Sequence, residues 1–186
     1  MTTTLYTLQE FVRDAQEVAA RRQAPDDTIA NLLGPLERII ARPDCLADFD
    51  GNDDPDPDKG FVIHRSDDLT VLAVVWPEGS SAPIHNHNGW AMEGVISGLE
   101  LNHNYTRVDD GTKPWHADLE QRDATRIAAG NTTFLPEPPA DIHAVEIPEG
   151  KTLAIHLYGL DLLKQWRYRF DLETGKVTPF HARTTA

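Results

Sequence analysis

Apolar residues recur at helical spacing only in about the first forty positions. Leu8, Phe11, Val12, Ala15, Val18 and Ala19 fall on one face of a helical period. Thr7 and Glu10 have the form of a capping box, a hydroxyl followed three residues later by a carboxylate. The pattern therefore predicts a helix over residues 8–22. A second begins at Pro25, with Ile29, Leu32, Leu33, Leu36 and Ile40 as its apolar side, and the Gly34-Pro35 pair is expected to kink or split it. Two or three amphipathic helices result, and they need a surface to cover.

From Gly60 onward that period disappears. Short apolar runs alternate with turn residues: 61–64, 69–76, 90–96, 99–108, 123–128, 131–135, 143–147, 151–158, 165–171 and 176–180. Ser66-Asp67-Asp68, Pro77-Glu78-Gly79, Ser97-Gly98, Asp109-Asp110-Gly111, Ala129-Gly130 and Pro148-Glu149-Gly150 punctuate them. Strands this short and regular predict an all-β barrel or sandwich with the helices packed outside. The chain thus divides into a helical segment (1–46), an acidic linker (47–60) and a barrel (61–182), together one domain. The linker holds six aspartates between Asp48 and Asp58. It resembles a calcium loop only faintly, because Asp53 stands where such a loop needs glycine and no glutamate closes it. A solvated acidic stretch is the reading. The tail beyond His181 is expected to fray.

Charge and cysteine content narrow the class. A net charge of −13 disfavours binding to nucleic acid or to an anionic membrane, since both require basic surface. One cysteine, Cys45, excludes an intrachain disulfide framework and suits a reducing compartment. No apolar run approaches spanning length and no leader pattern opens the sequence, so a cytoplasmic location is expected.

The chemistry concentrates in the histidines. His64, His103, His116 and His181 lie near turns or on alternating stretches, where a surface or hydrogen-bonded histidine is the ordinary explanation. His85 and His87 differ: they follow the buried run 71–76 and are separated by one residue. On a strand they would share a face. Two imidazoles aimed into one space begin a metal site that needs further ligands from elsewhere.

Gly79-x5-His85-x-His87, with Gly98 eleven residues on, has the spacing of the first cupin motif. Gly130-x5-Pro136 followed by His143 resembles the second, with two extra residues before its histidine. Over residues 61–180 the sequence is similar to the cupin family, and the runs 72–90, 94–100, 141–146 and 155–159 look more narrowly like the thiol dioxygenases. Within these it resembles the bacterial branch that oxidises 3-mercaptopropionate or cysteine. The resemblance implies a double-stranded β-helix (jelly-roll) barrel and a non-haem Fe(II) held by His85, His87 and His143. It implies an activity that adds both atoms of O2 to a small thiol, giving the sulfinate.

The cupin glutamate ligand is missing: its place falls near Ala91 or Met92. Glu93 shares the parity of Ala91 and is expected behind the ligands or facing the substrate. The resemblance makes Tyr158 and His156 the catalytic pair, the tyrosine hydroxyl reaching the reacting atoms and the histidine bonding to it. A serine that normally stands two residues earlier is Ala154 here. The cysteine that bonds covalently to the tyrosine in animal enzymes has no counterpart, Cys45 lying in the helical segment. Arg167 matches a carboxylate-binding arginine, and Arg169, with the same parity, competes for that role. Trp90 either shapes the pocket or belongs to the core. Two alternatives remain open on sequence: another metal-dependent cupin oxygenase or isomerase, and a non-catalytic binding cupin.

Overall fold

The computed structural model describes residues 5–47 and 60–181. The acidic stretch 48–59 and the tail 182–186, for which a solvated linker and fraying were expected, lie outside the described residues. Two helices come first, α1 (Leu8–Ala19) and α2 (Pro25–Ile40). The capping box forms as expected: Glu10 N donates to Thr7 Oγ1 at 3.2 Å and Thr7 N donates to Glu10 Oε2 at 2.7 Å. α1 ends three residues earlier than the pattern predicts, and Arg22 turns left-handed with φ 49°. α2 runs through Gly34-Pro35 as one helix, with Pro25 in its first turn and Pro35 inside. No third helix follows among the described residues.

Eleven strands follow among the described residues. These are β1 (Gly60–Arg65), β2 (Thr70–Trp76), β3 (Ser81–His85), β4 (Ala91–Ser97), β5 (Leu99–Arg107) and β6 (Leu119–Ala128). They continue with β7 (Thr132–Leu135), β8 (Ile142–Glu146), β9 (Thr152–Tyr158), β10 (Trp166–Phe170) and β11 (Val177–His181). One sheet has the order β1-β2-β9-β4-β7, the other β11-β10-β3-β8-β5-β6. Chain neighbours mostly alternate between sheets, and the strands β2 to β9 in these two orders are the two four-stranded sheets of a jelly roll. β1 extends the first sheet, and β10 and β11 extend the second beside β3. The fold is mainly β, a double-stranded β-helix with its helices outside. Among the described residues no helix is long and apolar enough to cross a membrane.

Both faces of the first sheet are covered, which explains why β2 is buried at every position and reads as an unbroken apolar run. Val71, Ala73, Met92, Ile96, Ile155 and Leu157 meet Phe11, Leu32, Leu36, Ile39 and Ile40 of the helices. Leu72, Val74, Ala91 and Tyr158 are in a second cluster with Ala82 and Val145 of the opposite sheet. β6 is an edge strand, exposed over most of its length, and its Glu120, Gln121, Arg122 and Asp123 keep that edge polar. Apolar patterning finds only its second half for that reason.

Gly94 sets how closely α2 can lie on β4. A Cβ there would stand 2.9 Å from Ile40 Cγ2 and 3.0 Å from Leu36 Cδ1. Gly94→Val is expected to lift the helix and destabilise the protein by about 1–3 kcal/mol, read as a lower urea midpoint at unchanged slope.

Candidate metal centre

Cross-strand register builds the site. His85, the last residue of β3, lies directly opposite His143 of β8, and His143 lies opposite Asn104 of β5. In the facing sheet Glu93 of β4 pairs with His156 of β9, and Ala91 with Tyr158. One sheet therefore carries two of the three expected ligands, while the other carries the expected catalytic pair. His87 lies beyond the end of β3, in the connection to β4, so shared strand parity does not aim it. Its position comes from Asp141, whose Oδ2 accepts from His87 N at 3.1 Å and from Asn88 N at 2.8 Å. Asn88 adopts φ 60°, and Asn86 is tied to β10, its N donating to Tyr168 O at 3.1 Å.

The three imidazoles form a nearly equilateral set, with ring centroids 4.7, 4.8 and 5.0 Å apart. Two proton positions follow from the acceptors beside them. His85 Nδ1 is 2.8 Å from Pro83 O, a group that only accepts, so Nδ1 carries the hydrogen and Nε2 the lone pair. His143 Nδ1 faces Asn102 Oδ1, with the same result. Asn102 is held the right way round because its Nδ2 donates to Glu93 Oε2 at 2.7 Å. Glu93 thus supports His143 through Asn102, as an outer partner that orients a ligand.

All three rings are neutral at ordinary pH. Burial pushes His85 down to about 3, with the Arg167 charge adding to it. Burial and then the neighbouring imidazoles hold His87 and His143 well below the usual histidine range. Neutral imidazole is the form that binds a metal.

The donor set fits an ion. His87 Nε2 and His143 Nε2 stand 2.9 Å apart. One ring nitrogen from each of the three histidines lies within 4.8 Å of the other two, close enough for one ion to join them. His85, His87 and His143 are thus a candidate metal-binding group, drawn from two strands and one loop.

The remaining expected residues divide. Tyr158 stacks at a tilt near His87, ring centroids 4.9 Å apart, and its hydroxyl is 3.2 Å from His156 Nδ1. Burial, then the charge of Glu93, raises its pKa, so it is a phenol at neutral pH. Arg167 and Arg169 both stand on β10 and lie over Phe180 of β11, each 4.5 Å from the ring centroid. Arg167 is buried, and its charge acts on all three imidazoles and on Tyr158; that of Arg169 acts on His85 alone among them. Of the two readings left open for Trp90, its packing matches that of a core residue. It belongs to the cluster under the helices with Met92 and Leu157, and its indole lies across Gly159, leaving no room there for a Cβ. Glu93, considered as a substrate contact, is turned to Asn102 and His156. Asn102, Asp141 and Glu100 escaped sequence reasoning. Asn102 and Glu100 face inward at alternate positions of β5, so alternation in that polar strand was the available signal.

No protein-family model matches the chain. Among solved structures it is similar to the DMSP lyase DddQ of Ruegeria pomeroyi DSS-3, at 20% identity over 55% of this chain and 43% of that one, with TM-score 0.41. A cupin superfamily protein of Desulfitobacterium hafniense DCB-2 matches at 14% identity over 55% of this chain and 76% of its own, TM-score 0.41. KdgF of a Halomonas species matches at 19% over 54% and 78%, TM-score 0.40. The matched region thus spans less than half of the DMSP lyase. At such identity and overlap these proteins say nothing about this chain's substrate.

Asn102→Leu should leave the fold intact but lower metal affinity about 10- to 100-fold, measured by competition with a chelating dye. The buried histidines also set an acid limit. Below pH 6.5 the unfolded His85 takes a proton that the folded one refuses until about 3. The unfolded state therefore binds more protons in that window, and stability falls with falling pH by up to about 1.4 kcal/mol per unit for this group. The urea midpoint of metal-free protein should drop across this range, with a shallower slope in His85→Gln.

Proposed function

We propose that the protein is a non-haem Fe(II) thiol dioxygenase that converts a small thiol bearing a carboxylate, of the 3-mercaptopropionate or cysteine type, to its sulfinate. In the net reaction RSH and O2 give RSO2⁻ and a proton. The observation that carries this reading is the convergence of three neutral imidazoles beside a buried phenol and a buried guanidinium. Iron held by His85, His87 and His143 supplies the redox chemistry with O2 that side chains lack, and its charge favours the thiolate form of the substrate.

The chain's own residues supply the rest. Three protein ligands leave room for substrate, and neutral rings leave the ion's positive charge uncancelled. Arg167 receives the carboxylate through two parallel hydrogen bonds and so fixes the distance from that group to the sulfur. Tyr158, kept protonated, donates a hydrogen bond towards the reacting atoms, and His156 holds its hydroxyl. Burial of the trio excludes bulk water and strengthens each of these contacts.

Protein loaded with iron under anaerobic conditions should take up O2 only when a thiol acid is added, and 18O2 should place two labelled atoms in the sulfinate. O2 uptake indifferent to thiol, or none, would sink the reading in favour of another oxygenase, an isomerase or a binding protein. Arg167→Gln should raise KM for a thiol carboxylate by about 10- to 100-fold. It should leave a thiol lacking that group unaffected.

A further inference from the structure

Glu100 has no exposed surface, and neither carboxylate oxygen meets a hydrogen-bond donor among the described residues. An ionised carboxylate in that state is tolerated only beside a positive charge. The basic group facing it is His156, whose Nε2 is 3.6 Å from Glu100 Oε1. At the other edge of the same ring, Nδ1 is 3.8 Å from Glu93 Oε1 and 3.2 Å from the Tyr158 hydroxyl. Glu93 pairs with His156 across β4 and β9, while Glu100 reaches in from β5 of the opposite sheet. One buried imidazole thus lies between two buried carboxylates.

The same three residues have the donor types of a metal site, and one ring nitrogen and one oxygen of each carboxylate lie within 4.8 Å of one another. The shortest contacts are nonetheless divided between the two ring nitrogens: Glu93 is closest to Nδ1 and Glu100 to Nε2, on opposite edges of the ring. A metal count separates the two readings.

We propose that His156 stands as an imidazolium between Glu93 and Glu100, and that Glu100 is thereby a positioning residue for Tyr158. With both ring nitrogens protonated, Nδ1–H donates to the Tyr158 oxygen. The phenol then cannot donate to His156, and its own proton is left for the space beside His87. A neutral His156 with its hydrogen on Nε2 would do the reverse, accepting the phenol proton and turning it away. Charge balance supports the arrangement. Burial opposes a charged His156, yet Glu93 and Glu100 outweigh it and its pKa ends above the usual value. Burial raises Glu93 to about 7, His156 opposing and Glu100 adding to the rise. The consequence for Tyr158 rests on the thiol dioxygenase reading, whereas the imidazolium itself does not.

Long-range 1H–15N spectra of the zinc-loaded protein, with His156 assigned by loss of its signals in His156→Gln, test the charge directly. Both His156 ring nitrogens should show protonated-type shifts at neutral pH. Glu100→Gln should return the ring to neutral, and Glu100→Asp, which keeps the charge, should preserve the imidazolium. In the iron enzyme Glu100→Gln should lower kcat about tenfold, the worth of one hydrogen bond, with KM for the thiol little changed, and Glu100→Asp should recover most of it. A neutral His156 in the parent protein overturns the proposal, as does an imidazolium that survives Glu100→Gln. Two metal equivalents per chain, one of them lost in Glu100→Gln, overturn it too. Should Glu100→Gln fail to fold, the spectra of the parent and of Glu100→Asp still decide. An imidazolium in a protein that oxidises no thiol would uphold the charge cluster and refute the activity.

Discussion

Three imidazoles face one another in a space nearly closed to water, and the described contacts give them no carboxylate to share a proton with. That constraint organises the molecule. Each ring has one proton to dispose of, and in two of them the protein takes it outward, to the Pro83 carbonyl and the Asn102 amide. The lone pairs are then left pointing inward, at a cost that an ion repays. The arrangement requires neutral rings, and burial supplies that neutrality by making the charged form expensive.

The architecture keeps these directions fixed. In the sheet that holds His85 and His143, direct register between β3 and β8 sets the distance between two rings, and Asp141 ties the loop carrying the third to the same strand region. The facing sheet holds Tyr158 and His156, and it is backed by the helices, so movement of β4 or β9 towards solvent would have to displace an apolar layer. Gly94 belongs to the same logic: the absence of a side chain there brings α2 onto β4, behind Glu93. A site whose donors stand on paired strands is stiffer than one assembled from loops, and His87, the exception, is held by its own N–H and that of Asn88 donating to the Asp141 carboxylate.

Most of the fold was legible because it rests on local chemistry: a capping box, apolar faces and turn residues between runs. Spacing also brought His85, His87 and His143 forward. What escaped depends on contacts between distant residues. β3 was not recognised as a strand in its own right, because Ser81, Pro83 and His85 break any apolar alternation. The first half of β6 was missed because an edge strand keeps polar residues on both faces. Parity could not aim His87, since its direction comes from a carboxylate fifty-four positions away in the chain. Trp90 and Tyr158 flank the same sheet, yet the indole serves the helix side, a choice that adjacency to the histidine motif does not reveal.

The position of Ala154 connects these observations. On the proposed thiol dioxygenase reading, a serine is expected there to continue the hydrogen-bonded chain from tyrosine to histidine along a single strand. Here Ala154 is a small apolar contact of Val95 and Ile127, and it offers His156 nothing. The ring meets Glu100 instead, from across the barrel. A hydroxyl accepts or donates and leaves the ring's charge open, whereas a buried carboxylate can only accept and favours a cation. Glu93, Glu100 and Ala154 therefore bear on one ring: β9 offers it no hydroxyl at position 154, while β4 and β5 each face it with a carboxylate, and together they set the charge behind the phenol.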